Sequence, residues 1–129
     1  MAGTYINPSN VHPPLGQYSH GVLVQGPGKI LFISGQGGAD EKQHLPSDLR
    51  EQARQCWRNI IAILDAAGMT VNNLTKVTTY LTNLQEAKLV GEVRANFLGN
   101  ACPASTIVPV AELAGAGWLI EIEAIAFME

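Results

Sequence analysis

GWLIEIEAIAF, Gly117 to Phe127, alternates side chains with a period of two, the pattern of a β-strand with one buried face. Ile120, Ile122, Ala124 and Ala126 fall on one side of that strand. Glu121, Glu123, Ile125 and Phe127 fall on the other, which is acidic at one end and apolar at the other. A fully solvated face has no need of Ile125 and Phe127, so part of this second face is expected to be covered. The two glutamates are then either a wet rim or a working pair.

Outward from this strand, the remaining elements follow from periodicity and punctuation. Residues 1–14 are polar, contain three prolines and read as an N-terminal arm or loop. Gln17–Gln25 and Lys29–Gly35 read as two strands, and Gly26-Pro27-Gly28 between them suggests a hairpin. Ser47 suits a helix N-cap, and Asp48 suits the positive end of the helix dipole. Leu49, Ala53, Cys56, Trp57, Ile60, Ile61 and Leu64 then recur at spacings of three and four, until Gly68 ends the run. Lys76–Thr82 is rich in β-branched residues and reads as a third strand. Asn83-Leu-Gln-Glu86 resembles a capping box opening a second helix, with Leu89 or Val90, Val93 and Phe97 inward and Gly99 at its end. Ala104–Val110 and Trp118–Phe127 complete the set.

The order β-β-α-β-α-β-β predicts an α+β fold in which two helices pack on one face of a mostly antiparallel sheet. The length of 129 residues and the absence of a linker or repeat predict a single domain over 1–129. The composition, 47% hydrophobic and only 15% charged, is apolar for a soluble domain of this size and points to self-association. Thr78, Tyr80 and Thr82, on the side of the third strand away from Thr79 and Leu81, give that outward face an uncharged character that a partner subunit would cover.

Bulk properties exclude several function classes. A net charge of −3 argues against nucleic acid as a partner. No run approaches the ~20 apolar residues of a membrane span, and the first residues lack a signal-peptide pattern. Two cysteines, Cys56 and Cys102, are too few for a disulfide framework, so a reducing, cytoplasmic setting is expected. His12, His20 and His44 are scattered without metal-ligand spacing, and no phosphate-binding glycine motif is present, so no metal and no cofactor are expected. Arg50, Arg54 and Arg58 form a stripe four residues apart that reads as a solvated helix face rather than a phosphate ridge.

A few positions could carry chemistry. Ser34 and Gly35 sit at a strand end, where an exposed hydroxyl can bind a ligand, although no nucleophile elbow surrounds the serine. Tyr18 and His20 fall on one face of the first strand and could handle protons or bind a polar group. Cys102 has no base nearby in sequence and reads as a bystander thiol.

Taken in order, LGQYSHGV (15–22), LFISGQ (31–36), AILDAAGM (62–69), KVTTYLTNL (76–84), CPAST (102–106) and IEIEAIA (120–126) resemble the Rid family (RidA/YjgF, also labelled L-PSP). The likeness runs from about Pro14 to Met128. It implies a chorismate-mutase-like fold assembled as a homotrimer, with small-molecule clefts between subunits. The archetypal activity it implies is cofactor-free hydrolysis of enamines and imines such as 2-aminoacrylate. Tyr18, Ser34 and Gly35 match family site positions, and Glu121 matches the glutamate that positions water, which leaves Glu123 a structural role.

The sequence departs from the deaminating members where substrate is gripped. Their arginine after Pro-Ala, a bidentate partner for the substrate carboxylate, is Ser105 here. A cysteine two residues further on is Ile107, and an asparagine of the second helix aligns with Val90 or Gly91. His20 stands where glutamine is common. The resemblance therefore implies a retained cleft with a substrate other than 2-aminoacrylate. A basic group such as Arg94 or Lys88, entering from a neighbouring subunit, could replace the lost anchor. A non-catalytic small-molecule-binding or regulatory trimer is the alternative reading, and a ribonuclease or translation inhibitor the third.

Overall fold

The computed structural model describes residues 3–11 and 13–129. Its strands are β1 (Thr4–Ile6), β2 (Gly21–Leu23), β3 (Lys29–Gln36), β4 (Leu74–Leu81), β5 (Ala104–Pro109) and β6 (Ile120–Met128). Its helices are α1 (Leu49–Ala66) and α2 (Ala87–Leu98). Short 3-10 turns at Val71–Asn73 and Leu84–Glu86 lead into β4 and α2.

β6, the strand read first in the sequence, is central. The main sheet has the order β3-β6-β4-β5, antiparallel at β3/β6 and β6/β4 and parallel at β4/β5. Parallel neighbours need a long crossover, and α2 supplies it between β4 and β5. The expected apolar face of β6 is buried: Ile120, Ile122, Ala124 and Ala126 join Val77 and Leu81 of β4 under Trp57, Ile60 and Leu64 of α1 and Val90 and Val93 of α2. Trp57 stacks on Phe97 with ring centroids 6.4 Å apart, which fixes the two helices against each other. The α+β prediction of two helices on one face of a mostly antiparallel sheet therefore holds.

Several boundaries and pairings differ from the sequence reading. The hairpin expected between residues 17–25 and 29–35 does not form. β2 instead pairs with β1, Thr4 opposite Leu23 and Ile6 opposite Gly21, in a separate two-stranded ribbon, so the arm is partly strand. β3 takes β6 as its partner because that pairing places Leu31 and Ile33 beside Ala126 and Ala124 over the core. The N-cap of α1 is Asp48 rather than Ser47; Asp48 is extended (φ −91°, ψ 131°) and its carboxylate accepts from the Glu51 N–H at 3.2 Å. Asn83 caps the 3-10 turn by accepting from Gln85 N–H, and α2 proper starts only at Ala87.

Phe127 meets the expectation that part of the second face of β6 is covered. Its strand position puts it on the open face with Glu121, yet it is buried. The turn before β3 passes so close above its ring that a Cβ on Gly28 would sit 2.6 Å from Phe127 Cε2. The chain's own turn thus covers the apolar end of that face. Among the described residues no helix is long and apolar enough to cross a membrane.

Candidate functional site

The open face of the sheet carries the glutamates. Tyr80 of β4 lies opposite Glu121 and Thr78 opposite Glu123. Tyr80 Oη donates to Glu123 Oε1 at 2.7 Å, and this bond with the carboxylate raises the phenol above its ordinary range. Glu123 is thereby tied into the sheet. Glu121 makes no hydrogen bond among the described residues.

What holds Glu121 is a close approach of backbone. The β3/β6 register shifts between Ile33 and Gln36, a bulge centred on Ser34 and Gly35. Gly35 lets the Glu121 side chain lie directly against it: a Cβ there would fall 2.7 Å from Glu121 Cδ and closer still to Oε2. Ser34, Gly35 and Glu121 therefore form one cluster. Beside it, Phe32, Ser34, Lys76, Thr78 and Glu123 line a shallow cleft of about 240 Å³.

The other expected residues assemble elsewhere. Ser105 and Ile107 of β5 are opposite Val77 and Thr79, both buried on the helix side, so their side chains face α2 and not the glutamates. Tyr18, Thr79, Gly91, Arg94, Ser105 and Ile107 line a cleft of about 270 Å³ between α2 and this edge strand. Tyr18 does not lie in a strand, as expected from the alternation of residues 17–25. Its segment is laced to the entry of β5 by an isolated bridge from Ser19 to Ala104, by Ser19 Oγ donating to Cys102 C=O (2.6 Å) and by Gln17 Nε2 donating to Ala101 C=O (3.1 Å). Tyr18 Oη accepts from Leu15 N–H at 3.1 Å, which leaves its own O–H to donate. The backbone N–H of His20 donates to Asn7 Oδ1, and the residue lines neither cleft.

Arg94 is the residue whose place the sequence reading missed. It enters this cleft from α2 of the same chain, and its Nη1 donates to Ser105 Oγ at 3.1 Å. Helical spacing contained the signal, since Arg94 is three and four residues from Gly91 and Val90. Lys88 is exposed and lines neither cleft.

The remaining reactive side chains are occupied structurally. Cys56 is buried, and desolvation, followed by the nearby Glu121 charge, pushes its thiol up to about 12. Of the basic stripe on α1, Arg50 approaches Glu92 at 3.7 Å and Arg54 pairs with Glu51, as a solvated helix face would. Among the described residues no group of three or more His, Cys, Asp or Glu could hold a metal ion. His12 lies outside the described residues.

Two half-sites thus stand on opposite faces of one sheet: a tyrosine–serine–arginine cleft at its edge, and an unpartnered carboxylate beside a glycine bulge. A family model described as Endoribonuclease L-PSP matches residues 9–128. The chain belongs to this family, the Rid (YjgF/RidA) family. Its relatives include a RutC family protein of Pyrococcus horikoshii, 40% identical over 122 residues, covering 93% of this chain and 94% of that one. The 2-iminobutanoate/2-iminopropanoate deaminase of Rattus norvegicus is 35% identical over 123 residues, 94% of this chain and 87% of that one. Among solved structures, the Rid family protein YyfB of Yersinia pestis superposes with a TM-score of 0.87 at 31% identity, covering 99% and 100% of the two chains. Escherichia coli TdcF with bound serine superposes with a TM-score of 0.74 at 31% identity, covering 98% and 99%. The fold is therefore the Rid fold throughout the chain.

Proposed function

We propose that this Rid protein hydrolyses an imine or enamine of a small amino-acid-like molecule, other than 2-aminoacrylate, in clefts formed between the subunits of a homotrimer. The observation that carries the reading is the Glu121 carboxylate, held against Gly35 and without a hydrogen-bond partner among the described residues. A carboxylate in that state can hold a water molecule and take its proton. Tyr18, whose O–H is left to donate, is the second proton-handling group.

In the reaction, an enamine first gains a proton at carbon to become the iminium. Water, with Glu121 as base, then adds its oxygen to the iminium carbon. The nitrogen takes up that proton and leaves as ammonia, and the carbinol hydroxyl gives up its own proton to become the carbonyl; ammonia takes this second proton, so iminium plus water gives a ketone and ammonium. Holding water and substrate together is the larger part of the catalysis, and no redox step is involved.

One chain cannot close Tyr18 and Glu121 around a single small molecule, because they lie on opposite sheet faces. A ring of subunits in which the open face of one covers the α2/β5 cleft of the next joins the halves. Ile30 and Phe32 on that open face are 57% and 73% exposed, a surface suited to such burial. The name of the rat relative and the serine bound in TdcF agree with a ligand of amino-acid size. Ser105, small where the deaminating members carry arginine, and Gly91, whose Cβ position is open space, leave room for a longer side chain than that of 2-aminoacrylate.

The test generates 2-imino acids of increasing length in situ with an amino-acid oxidase and follows their loss against a semicarbazide trap. Wild type is expected to accelerate hydrolysis, most for chains longer than three carbons, and Glu121→Gln to lose about a hundredfold or more. A wild type that binds these acids without accelerating their hydrolysis supports the alternative, a non-catalytic binding trimer, which the absence of arginine at position 105 favours.

A further inference from the structure

We infer that Arg94 is the anion anchor of the cleft: the cation that grips a substrate carboxylate stands on helix α2 of this protein, with Ser105 holding it in place. The inference rests on the proposed function for its site and deepens it by naming the charge class of the ligand, a carboxylate.

Arg94 is half-buried in the cleft wall beside Gly91, Ser105 and Ile107. A buried charge normally faces an opposite charge, because its removal from water is costly unless it is paired. No carboxylate approaches Arg94 within ion-pair distance among the described residues, and the nearest acidic neighbour on α2, Glu92, is directed to Arg50. Among the described residues the Arg94 side chain makes one hydrogen bond, to the neutral Ser105 hydroxyl, and its Nε is buried with no hydrogen-bond partner. Burial alone lowers its pKa, with no acidic group acting against that effect, and the guanidinium remains charged at neutral pH.

A cation held this way is positioned for an external anion. Ser105 is the right residue to hold it. Its hydroxyl fixes Nη1 without neutralising the charge, whereas an arginine at position 105 would place two guanidinium groups in contact and repel Arg94. Ser105 and Arg94 together leave the cleft cationic, with its positive charge carried by the helix and not by the strand. The anion then sits nearer α2, and the space beside Ser105 is left for the rest of the ligand. Glu121 does not oppose this binding within the chain, because it lies on the other face of the sheet.

The probes are pyruvate, a 2-oxo acid that cannot be turned over, and pyruvamide, its uncharged counterpart, titrated into the full-length protein. Wild type is expected to bind pyruvate about ten- to a hundredfold tighter, the worth of a charge-assisted pair. Arg94→Met should abolish that preference, and Arg94→Met combined with Ser105→Arg should restore it. In wild type, the Arg94 side-chain Nε–H resonance should move with pyruvate and not with pyruvamide, a readout that needs no variant to fold. Equal affinities in wild type, an unmoved Arg94 resonance, or a folded Arg94→Met that keeps the preference would each overturn the inference. Imine turnover that is lost in Glu121→Gln while pyruvate preference is absent leaves the catalytic reading standing without this anchor. Pyruvate preference without imine turnover leaves the anchor standing in a binding protein.

Discussion

Gly35 shows how much of this site is decided by one missing methyl group. Its φ is ordinary, so the glycine is not there for backbone freedom; it is there because the Glu121 carboxylate occupies the space of a Cβ. The obstructing atoms are the far end of a mobile side chain, so Gly35→Ala should displace Glu121 rather than unfold the sheet. We expect stability within about 1 kcal/mol of wild type and turnover reduced by about a hundredfold, as a misplacement near 1 Å can produce. Chemical denaturation alongside the imine assay measures both; a large loss of stability would refute this account. At this scale the sequence distinguished Glu121 from Glu123 by resemblance alone. The physical difference, Tyr80 bonded to one carboxylate and glycine packed on the other, arises from cross-strand register and from a bulge that alternation does not reveal.

At the scale of elements, the joint between α1 and β6 depends on Gln52, a fully buried polar side chain that hydrophobic periodicity passes over. Its Nε2 donates to Pro46 C=O at 2.7 Å and to Gly117 C=O at 3.1 Å, and its Oε1 accepts from Leu119 N–H at 2.9 Å. One amide thus satisfies three backbone groups in the loops that enter α1 and β6. Gln52→Leu keeps the volume and leaves those groups unpaired, so it should cost about 2–4 kcal/mol. Urea denaturation, read as a lower midpoint at unchanged slope, checks this. The helices and the main strands were legible because their apolar faces are periodic and their ends carry Asp48, Gly68 and Gly99. The arm strand β1 was not, because three residues paired to an equally short strand carry no periodicity to read.

At the scale of the whole molecule, the two half-sites and the exposed Phe32 make one prediction together. Sedimentation velocity should find wild type at about three times the 13.8 kDa chain mass. Phe32→Asp should shift that mass toward the single chain and lower imine turnover in parallel, and so should Ile30→Asp, at an exposed residue of the same face that lines neither cleft. A monomeric wild type with full turnover would contradict the split-site arrangement. The 47% hydrophobic content already pointed to self-association. The proposed division of the site between opposite sheet faces gives it a mechanistic reason.

By itself the sequence determined the class of fold, the buried apolar face of the strand that carries Ile120, Ile122, Ala124 and Ala126, and the membership of the chain in a family, because hydrophobic period and ordered motifs are local and survive without coordinates. The tertiary structure alone decided strand partners and the neighbourhood of each charge. β2 pairs with β1, and β3 pairs with β6, where Leu31 and Ile33 are placed over the core; alternation within each strand specifies neither partner. Arg94 was one basic residue among eight until the crossover between β4 and β5 folded α2 over the edge strand and set its guanidinium against Ser105. Which groups meet across such long separations depends on packing between elements, and no spacing along the chain encodes it.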